Sequence, residues 1–307
     1  GRVSPRNLLK VFGAVRRNRK KVLEAAIRHE ATAVVSNSMV SHLLNAGIPA
    51  SSGLRRVVHL HDIVDRRKAK GLYGKGLDRI ARRADAIITI SDAVEATLPA
   101  DALSKAVKLY NPIGDMPIRR RAPGLPIRAG MFARYTPWKG HRDLLEIVKA
   151  CSDLPIEFVS FGNVSDNDQA HFETLTAGVA ALENPGQMRL NGFSPDPMQE
   201  MADCDYVLHL STLPEPFGRV LIEANACGVP VLAYRGGGVD ELFGNLELVG
   251  ERFANGDWRT MAEVLRGAVD RCRATPSAGT DFKRPASLES LSIGRYAEAF
   301  LEVCNGS

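Results

Sequence analysis

The sequence predicts an α/β protein with two doubly wound domains, each built on a parallel sheet. Short apolar and β-branched runs alternate with amphipathic helical stretches along the whole chain, a pattern typical of parallel strands joined by crossover helices. The length of 307 residues fits two compact domains of about 100 to 200 residues each. A stretch rich in proline, glycine and arginine separates two such series of strands and helices.

The first series begins with a basic helical segment. Over residues 7–28 apolar side chains recur at helical spacing with cations between them, which predicts one or two amphipathic helices. The strands predicted next are residues 31–36, 56–60, 85–91 and 106–110, and a helix is predicted over residues 75–83. We therefore expect an N-terminal domain over residues 1–115, shorter than the second one.

The second series follows a linker, which we place at residues 116–126 because prolines and arginines concentrate there. The predicted strands are residues 127–132, 156–161, 188–190, 206–210, 229–234 and 246–249, and the predicted helices are residues 141–151, 168–182, 197–202 and 219–226. The second domain is expected to span residues 127–286. An amphipathic C-terminal helix is expected within residues 287–307.

Composition narrows the class of protein. Hydrophobic residues make up 45% and charged residues 24%, as in globular proteins. The sequence contains no run of about 18 apolar residues, so no membrane-spanning helix is expected. The five cysteines form no C-x-x-C pair, which indicates reduced thiols and a cytoplasmic location. No His, Cys or carboxylate cluster has metal-ligand spacing, so no metal is expected.

The net charge of +5 conceals a strong asymmetry between the two halves. Residues 1–121 contain 24 basic and 10 acidic side chains (+14), whereas the remaining residues contain 16 and 25 (−9). The positive electrostatic field of residues 1–121 attracts an anionic partner. This partner is either a membrane surface, at which the protein would be peripheral, or an acidic acceptor. The alternative is a solvated surface without a partner. Nucleic acid is disfavoured, because no recognition motif occurs and aromatic residues make up only 6%.

A cationic loop follows the first strand of the second domain. Arg134 and Lys139 lie five residues apart, just before a predicted helix. Arginine holds a diphosphate as a bidentate fork and lysine holds it as a point charge, while free N–H groups at a helix start add positive potential. The alternative is two solvated surface cations.

Two glutamates eight residues apart are the most specific feature. Glu215 lies in a loop and Glu223 on the helix that follows, with Gly218 between them. Carboxylates accept paired hydrogen bonds from the vicinal hydroxyls of a ribose or a hexose, and the amides of residues 218–220 are expected to be free at the helix start. A structural, salt-bridged glutamate is the alternative for Glu223, since an unpaired buried carboxylate is costly.

Two further segments are weaker candidates. Glycines at positions 236–238 end a strand and suit either a ligand cradle or a plain tight turn. In the first half, His59 and His61 end a strand, and we expect only one of them on each face. His61, at the strand terminus, is the preferred functional residue.

These motifs resemble the retaining glycosyltransferases of family four, which have the GT-B fold of two Rossmann-like domains facing a cleft. The resemblance rests on E-P-F-G-R-V-L-I-E-A-N-A-C-G-V-P-V, preceded by A-R-Y-T-P-W-K-G and followed by R-G-G-G-V-D-E-L. Weaker similarity extends upstream through V-H-L-H-D, A-D-A-I-I-T-I-S-D-A-V and Y-N-P-I-G. We expect an N-terminal domain shorter than the family pattern, because family members usually open with a strand and a glycine-rich loop, whereas this sequence opens with a basic helical segment.

The resemblance implies metal-independent transfer of a sugar from a nucleotide-sugar donor, without a cofactor. The donor would be bound by the second domain and the sugar, glycan or lipid-linked acceptor by the first, with a UDP-sugar favoured over a GDP-sugar. Arg134 and Lys139 would bind the diphosphate, Glu223 the ribose, and Glu215 the sugar. The remaining implied contacts are the backbone of Phe217, Gly218 and Val220 with the donor, Gly192 and Phe193 with the base, and His61 with the sugar or acceptor. The final helix would pack on the first domain.

Two other functions remain open at this stage. One is a non-catalytic sugar-nucleotide-binding or scaffold protein, and the other is a nucleotide-sugar epimerase of the same architecture. A glycosidase is disfavoured, because nothing in the sequence requires Glu215 and Glu223 to flank one bond.

Overall fold

The computed structural model describes residues 5–64, 72–115, 117, 124–275, 282 and 284–306, except for the side chains of residues 5–16, 72, 73 and 75. The chain forms two compact units, one comprising Gly1–Pro112 with Ile293–Ser307 and the other Ile113–Ser292. Within the second unit, the N–H of Ile113 donates to the carbonyl of Leu291 at 2.9 Å. Most of the linker predicted at residues 116–126 lies outside the described residues.

The first unit contains a four-stranded parallel sheet in the order β1-β2-β3-β4. Its elements are α1 (Pro5–Arg28), β1 (Ala33–Ser36), α2 (Met39–Asn45), β2 (Arg55–Leu60), α3 (Leu72–Arg83), β3 (Ala86–Thr89), α4 (Asp92–Glu95) and β4 (Ala106–Lys108). The basic segment is a single helix of 24 residues. None of the described helices combines the length and apolar character needed to cross a membrane.

The second unit contains a six-stranded parallel sheet in the order β10-β9-β8-β5-β6-β7. Its elements are β5 (Ile127–Phe132), α5 (His141–Ala150), β6 (Ile156–Phe161), α6 (Gln169–Ala180), β7 (Met188–Asn191), α7 (Pro197–Ala202), β8 (Tyr206–His209), α8 (Arg219–Ala226), β9 (Val231–Tyr234), α9 (Val239–Asn245), β10 (Gly250–Phe253) and α10 (Trp258–Ala274). Every residue of β8 and β9 is buried, as expected for central strands covered by helices on both faces.

The last strand is the one whose predicted position is wrong. The prediction of residues 246–249 followed the apolar run, whereas β10 begins at Gly250 and exposes Glu251 and Arg252. Leu246 and Leu248 are buried, but they belong to the connection that precedes the strand. An edge strand needs only one paired neighbour, so hydrophobicity did not mark its position.

The C-terminal helix α11 (Ile293–Asn305) packs on the sheet of the first unit. Its residues Val303 and Cys304 share a buried apolar cluster with Val57 of β2 and Ile88 of β3. The guanidinium of Arg55 donates to the carbonyl of Val303 at 2.9 Å. The helix begins later than the segment predicted from residue 287, because a 3₁₀ turn over Ala286–Leu291 precedes it in the second unit.

Candidate functional site

The second sheet changes its direction of winding between the neighbouring strands β5 and β8. From β5 the chain continues to β6 and β7 on one side, and it then returns to build β8, β9 and β10 on the other. Open parallel sheets bind ligands at such a switch point, beyond the carboxyl ends of the strands. The loops after β5 and β8 meet there, where the N–H of Thr212 donates to the carbonyl of Trp138 at 2.7 Å.

Lys139 and Glu215 form an ion pair at this switch point. The Nζ atom of Lys139 lies 2.6 Å from Oε2 of Glu215, and the side chains are 15% and 13% exposed. The ammonium group also lies 4.0 Å from the centroid of the Trp138 ring, in a cation–π contact. Two residues singled out from the sequence are therefore in direct contact, and they present a positive and a negative group side by side.

The carboxyl group of Glu215 is ionised at physiological pH. Burial acts to raise its pKa, but the hydrogen bond from His209 and the nearby ammonium group of Lys139 outweigh burial and lower the pKa to about 2. An ionised carboxylate accepts hydrogen bonds and donates none. Glu215 is therefore unsuited to the general-acid role that one carboxyl of a glycosidase pair must play.

His209 and Ser211 complete the surroundings of Glu215, and neither was among the residues predicted from the sequence. Ser211 Oγ donates to Glu215 Oε2 at 2.8 Å, and His209 Nε2 lies 3.2 Å from the same oxygen. His209 is the last residue of β8 and Ser211 follows two positions later. The rule that polar residues just after buried strands are candidates would have selected Ser211 if it had been applied to this strand.

Arg134 lies at the start of the loop that ends in Lys139. Its side chain is exposed and has no hydrogen bond or ion pair with any described residue. The following residue, Tyr135, is fully buried, and its hydroxyl lies 2.8 Å from the carbonyl oxygen of Ser160 and 2.6 Å from that of Asn191. The loop backbone is thus anchored to the sheet, while the guanidinium of Arg134 remains available to a ligand.

Glu223 is buried on α8 and forms an ion pair with Arg219, one turn earlier. The guanidinium of Arg219 lies 2.9 Å from Glu223 Oε1, and the side chains are 58% and 9% exposed. This is the salt-bridged state that the sequence left open as an alternative to ribose binding. Oε2 of Glu223 has no hydrogen-bond partner among the described residues, so one oxygen can still accept from a ligand.

The triple glycine packs against the backbone of Glu215. Gly237 has a φ of +63° and forms a parallel bridge with Glu215, and a Cβ atom at Gly237 would overlap the carbonyl oxygen of that residue. The N–H of Gly238 donates to the same carbonyl at 2.8 Å. The glycines are therefore required for a close approach between two backbone segments, and this approach fixes the main chain of Glu215.

The predicted backbone contacts lie at the start of α8. Gly218 caps the helix with a φ of +101°, a left-handed conformation that favours glycine. Phe217 is buried and Val220 is half-buried. This helix start follows β8, so its N–H groups lie at the same edge of the sheet as Lys139 and Glu215.

Gly192 and Phe193 follow β7 at the same carboxyl edge of the sheet. The carbonyl of Gly192 accepts from the N–H of Gly162, which follows β6, at 3.1 Å. The ring of Phe193 is 72% exposed, an unusual position for a large apolar side chain. An exposed aromatic ring beside a ligand edge offers a flat surface on which a planar group can stack.

His61 belongs to the first unit and lies just beyond β2. Its ring centroid is 4.0 Å from that of His59, so the expectation that the two histidines occupy different faces is wrong. The physical reason is that residues two apart on a strand point to the same side of the sheet. Burial lowers the pKa of His61, and the negative charge of Asp62 opposes that effect.

The described residues contain no group of three or more His, Cys, Asp or Glu side chains placed to hold a metal ion. The buried ionisable groups at the switch point are instead paired with one another. Transfer without a metal stays a prediction from the sequence.

The second unit matches a known protein family. Residues 120–271 match the family model described as "Glycosyl transferases group 1". No curated protein sequence matches the chain. The matched range includes both loops of the switch point.

Solved structures of glycosyltransferases share the fold. HepE of Anabaena in complex with UDP-glucose has 23% identity and a TM-score of 0.75, covering 94% of this chain and 82% of its own. A glycosyltransferase from Rickettsia africae has 15% identity and a TM-score of 0.70, covering 100% and 83%. Sucrose-phosphate synthase from Thermosynechococcus elongatus has 15% identity and a TM-score of 0.72, covering 97% and 79%. The chain thus has the GT-B fold, with two Rossmann-like domains.

Proposed function

We propose, from the premise that residues 120–271 match the family of group 1 glycosyl transferases, that the protein moves a sugar from a nucleotide-sugar donor to an acceptor hydroxyl. The observation that carries the proposal is the buried contact between Lys139 and Glu215 at the switch point. A cation and a carboxylate fixed together match a donor that is anionic at its diphosphate and rich in hydroxyls at its sugar.

The diphosphate would be bound by Arg134 and Lys139. In the reaction, the bond between the anomeric carbon and the diphosphate oxygen breaks, a bond to the acceptor oxygen forms, and the proton of the acceptor hydroxyl passes to the departing diphosphate. Negative charge accumulates on the departing diphosphate, and cations already in place stabilise that charge without reorganisation. The exposed guanidinium of Arg134 and the ammonium group of Lys139 belong to one loop, which is anchored by Tyr135.

The remainder of the donor would be bound along the same edge of the sheet. Glu215 and the backbone of residues 217–220 would hold the sugar, and Glu223 would accept from the ribose hydroxyls. Gly192 and the exposed ring of Phe193 would lie against the base. His61 of the first unit would contact the transferred sugar or the acceptor. A sugar, glycan or lipid-linked hydroxyl would serve as acceptor.

A UDP-sugar is the donor we propose, with retention of anomeric configuration and no metal or other cofactor. The HepE structures contain UDP, UDP-glucose, or UDP with glucose, which supports uracil as the base. The Glu215-x7-Glu223 motif, with its resemblance to retaining enzymes, supports retention. The anomeric configuration of the product, read by NMR, tests this part of the proposal.

Donor binding and turnover test the proposed function directly. In a thermal-shift panel of uridine, guanosine and adenosine diphosphates and their sugars, we expect the uridine compounds to stabilise the protein by about 3 kcal/mol at a hundredfold excess over Kd. We also expect slow release of free sugar from the donor without acceptor. Binding without any release would identify a non-catalytic binder, and isomerised nucleotide-sugar would identify an epimerase.

A substitution of Glu223 tests the proposed ribose contact in the same thermal-shift panel. Glu223→Gln is expected to weaken binding of uridine diphosphate about tenfold or more, because a hydrogen bond to a charged group contributes roughly 1.5 to 3 kcal/mol. The control is Glu263→Gln, an exposed glutamate on α10. Equal affinity in the two variants would contradict the role of Glu223.

We further propose that the protein is peripheral on an anionic membrane, on the cytoplasmic side. The support is the charge of +14 over residues 1–121 together with exposed cations on α1, including Arg17 and Lys21. We expect sedimentation with anionic vesicles at low salt and release as salt rises to about 0.5 M, because screening shortens the reach of the charges. Vesicles of neutral lipid are the control, and Arg17→Glu/Lys21→Glu should reduce binding. Equal sedimentation with both kinds of vesicle would contradict the electrostatic basis.

A further inference from the structure

Three donors converge on one oxygen of Glu215. Lys139 Nζ, Ser211 Oγ and His209 Nε2 lie 2.6, 2.8 and 3.2 Å from Oε2. The other oxygen, Oε1, has no hydrogen-bond partner among the described residues. The carboxylate is therefore held asymmetrically, with one oxygen saturated and the other left as an acceptor.

The imidazole of His209 has a defined protonation at the atom that faces Glu215. A carboxylate only accepts, so Nε2 must carry the hydrogen in this contact. The opposite ring nitrogen, Nδ1, is buried without a partner among the described residues, and the whole residue is 6% exposed. His209 ends β8, which is paired on both sides by β5 and β9, so its ring projects from a rigid part of the sheet.

The three donors differ in whether a bound diphosphate competes for their hydrogen bond to Glu215. Lys139 is assigned to the diphosphate, and the phosphate oxygens compete with Glu215 for its ammonium group. Ser211 donates to Glu215 as a neutral hydroxyl, and His209 is recessed in a buried strand. We therefore expect these two contacts to remain with Glu215 when Lys139 turns toward the phosphate.

We propose that His209 and Ser211 are positioning residues that fix Oε2 of Glu215, so that Oε1 accepts a hydroxyl of the transferred sugar. This inference rests on the proposed function, because it assigns the sugar to Glu215. A carboxylate held in place before the substrate binds needs no reorganisation as the reaction proceeds. The two residues act through Glu215 and contact neither the diphosphate nor the ribose.

The test separates a hydrogen-bonding role from a packing role. His209→Phe keeps a planar ring but removes the donor, whereas His209→Gln restores an N–H donor near the position of Nε2. Ser211→Ala removes the hydroxyl with almost no change in volume, and it serves as a second variant if His209→Phe folds poorly. His171→Phe, on α6 and outside the site, is the matched control.

We expect His209→Phe and Ser211→Ala each to lower kcat for donor hydrolysis about tenfold or more, and the double variant to lower it further. The Kd of uridine diphosphate, which lacks the sugar, should change less than about twofold, because it does not use Glu215. His209→Gln should recover kcat to within about threefold of the wild-type value. This combination is not produced by a general loss of packing.

Each contrary result overturns a defined part of the proposal. Unchanged kcat in His209→Phe and Ser211→Ala, with an active wild-type protein, would overturn the positioning role alone. Equal losses in His209→Phe and His209→Gln, with weakened binding of uridine diphosphate, would show a packing role instead. A wild-type protein that neither binds nor hydrolyses any nucleotide-sugar would overturn the proposed function together with this role.

Discussion

Replacing Lys139 by alanine is expected to lower kcat for donor hydrolysis or sugar transfer about a hundredfold or more, with the fold intact. The reason is that the ammonium group stabilises charge that develops only as the diphosphate departs, and removal of one such preorganised group typically raises the barrier by roughly 3 to 4 kcal/mol. KM for the donor should change less than kcat, because the bound ground state carries less charge on the bridging oxygen. Steady-state kinetics at saturating donor measure the effect.

A second lysine provides the matched control for this variant. Lys149 lies on α5, near the site in sequence, and is 54% exposed in an ion pair with Glu146. Exposed pairs of this kind contribute about 0 to 1 kcal/mol, so Lys149→Ala should retain wild-type kcat and stability. Arg134→Ala should resemble Lys139→Ala, since both cations face the same leaving group. Near-normal turnover in both Arg134→Ala and Lys139→Ala would contradict the assignment of the diphosphate to this loop.

The strands of the second sheet show how much of the fold could be predicted from sequence. The bounds of β5 and β6 are those predicted, because each strand is mostly buried and mostly apolar, with a single charged residue, Arg128 or Glu157, near its start. The edge strand β10 exposes Glu251 and Arg252, and hydrophobicity therefore pointed to the buried connection before it. Prediction succeeded where burial determines residue type and failed where only backbone pairing defines the element.

The candidate site divides in a similar way. Lys139 and Glu215 were selected because both lie in loops that follow strands, where open parallel sheets bind ligands. Their direct contact spans two loops 76 positions apart along the chain, so no local pattern could predict it. His209 was missed for the same reason, whereas Ser211 could have been selected as a polar residue just after a buried strand. From the sequence, a histidine that ends an apolar strand cannot be distinguished from a core residue. Only the structure shows that His209 contacts the carboxylate of Glu215.

The glycine after Lys139 shows how the fold holds these two loops together. Gly140 has a φ of +85° and is buried, and a Cβ atom there would overlap the carbonyl oxygen of Leu210, the residue between His209 and Ser211. Gly140→Ala is therefore expected to destabilise the protein by about 4 kcal/mol or more, because left-handed strain adds to a steric overlap between fixed backbones. Urea denaturation measures the loss.

The variant Gly256→Ala separates backbone strain from steric overlap as causes of this loss of stability. Its φ is +84°, almost the same as that of Gly140, but a Cβ atom there would meet nothing within 4 Å. Gly256→Ala should therefore cost only about 1 kcal/mol, the strain of a left-handed alanine, and leave turnover intact. In Gly140→Ala the backbone at Leu210 must move, which displaces His209 and Ser211 from Glu215, so kcat should fall together with stability. Equal destabilisation in the two variants would mean that the close approach of the loops contributes nothing, and the contact between Lys139 and Glu215 would then lack its structural support.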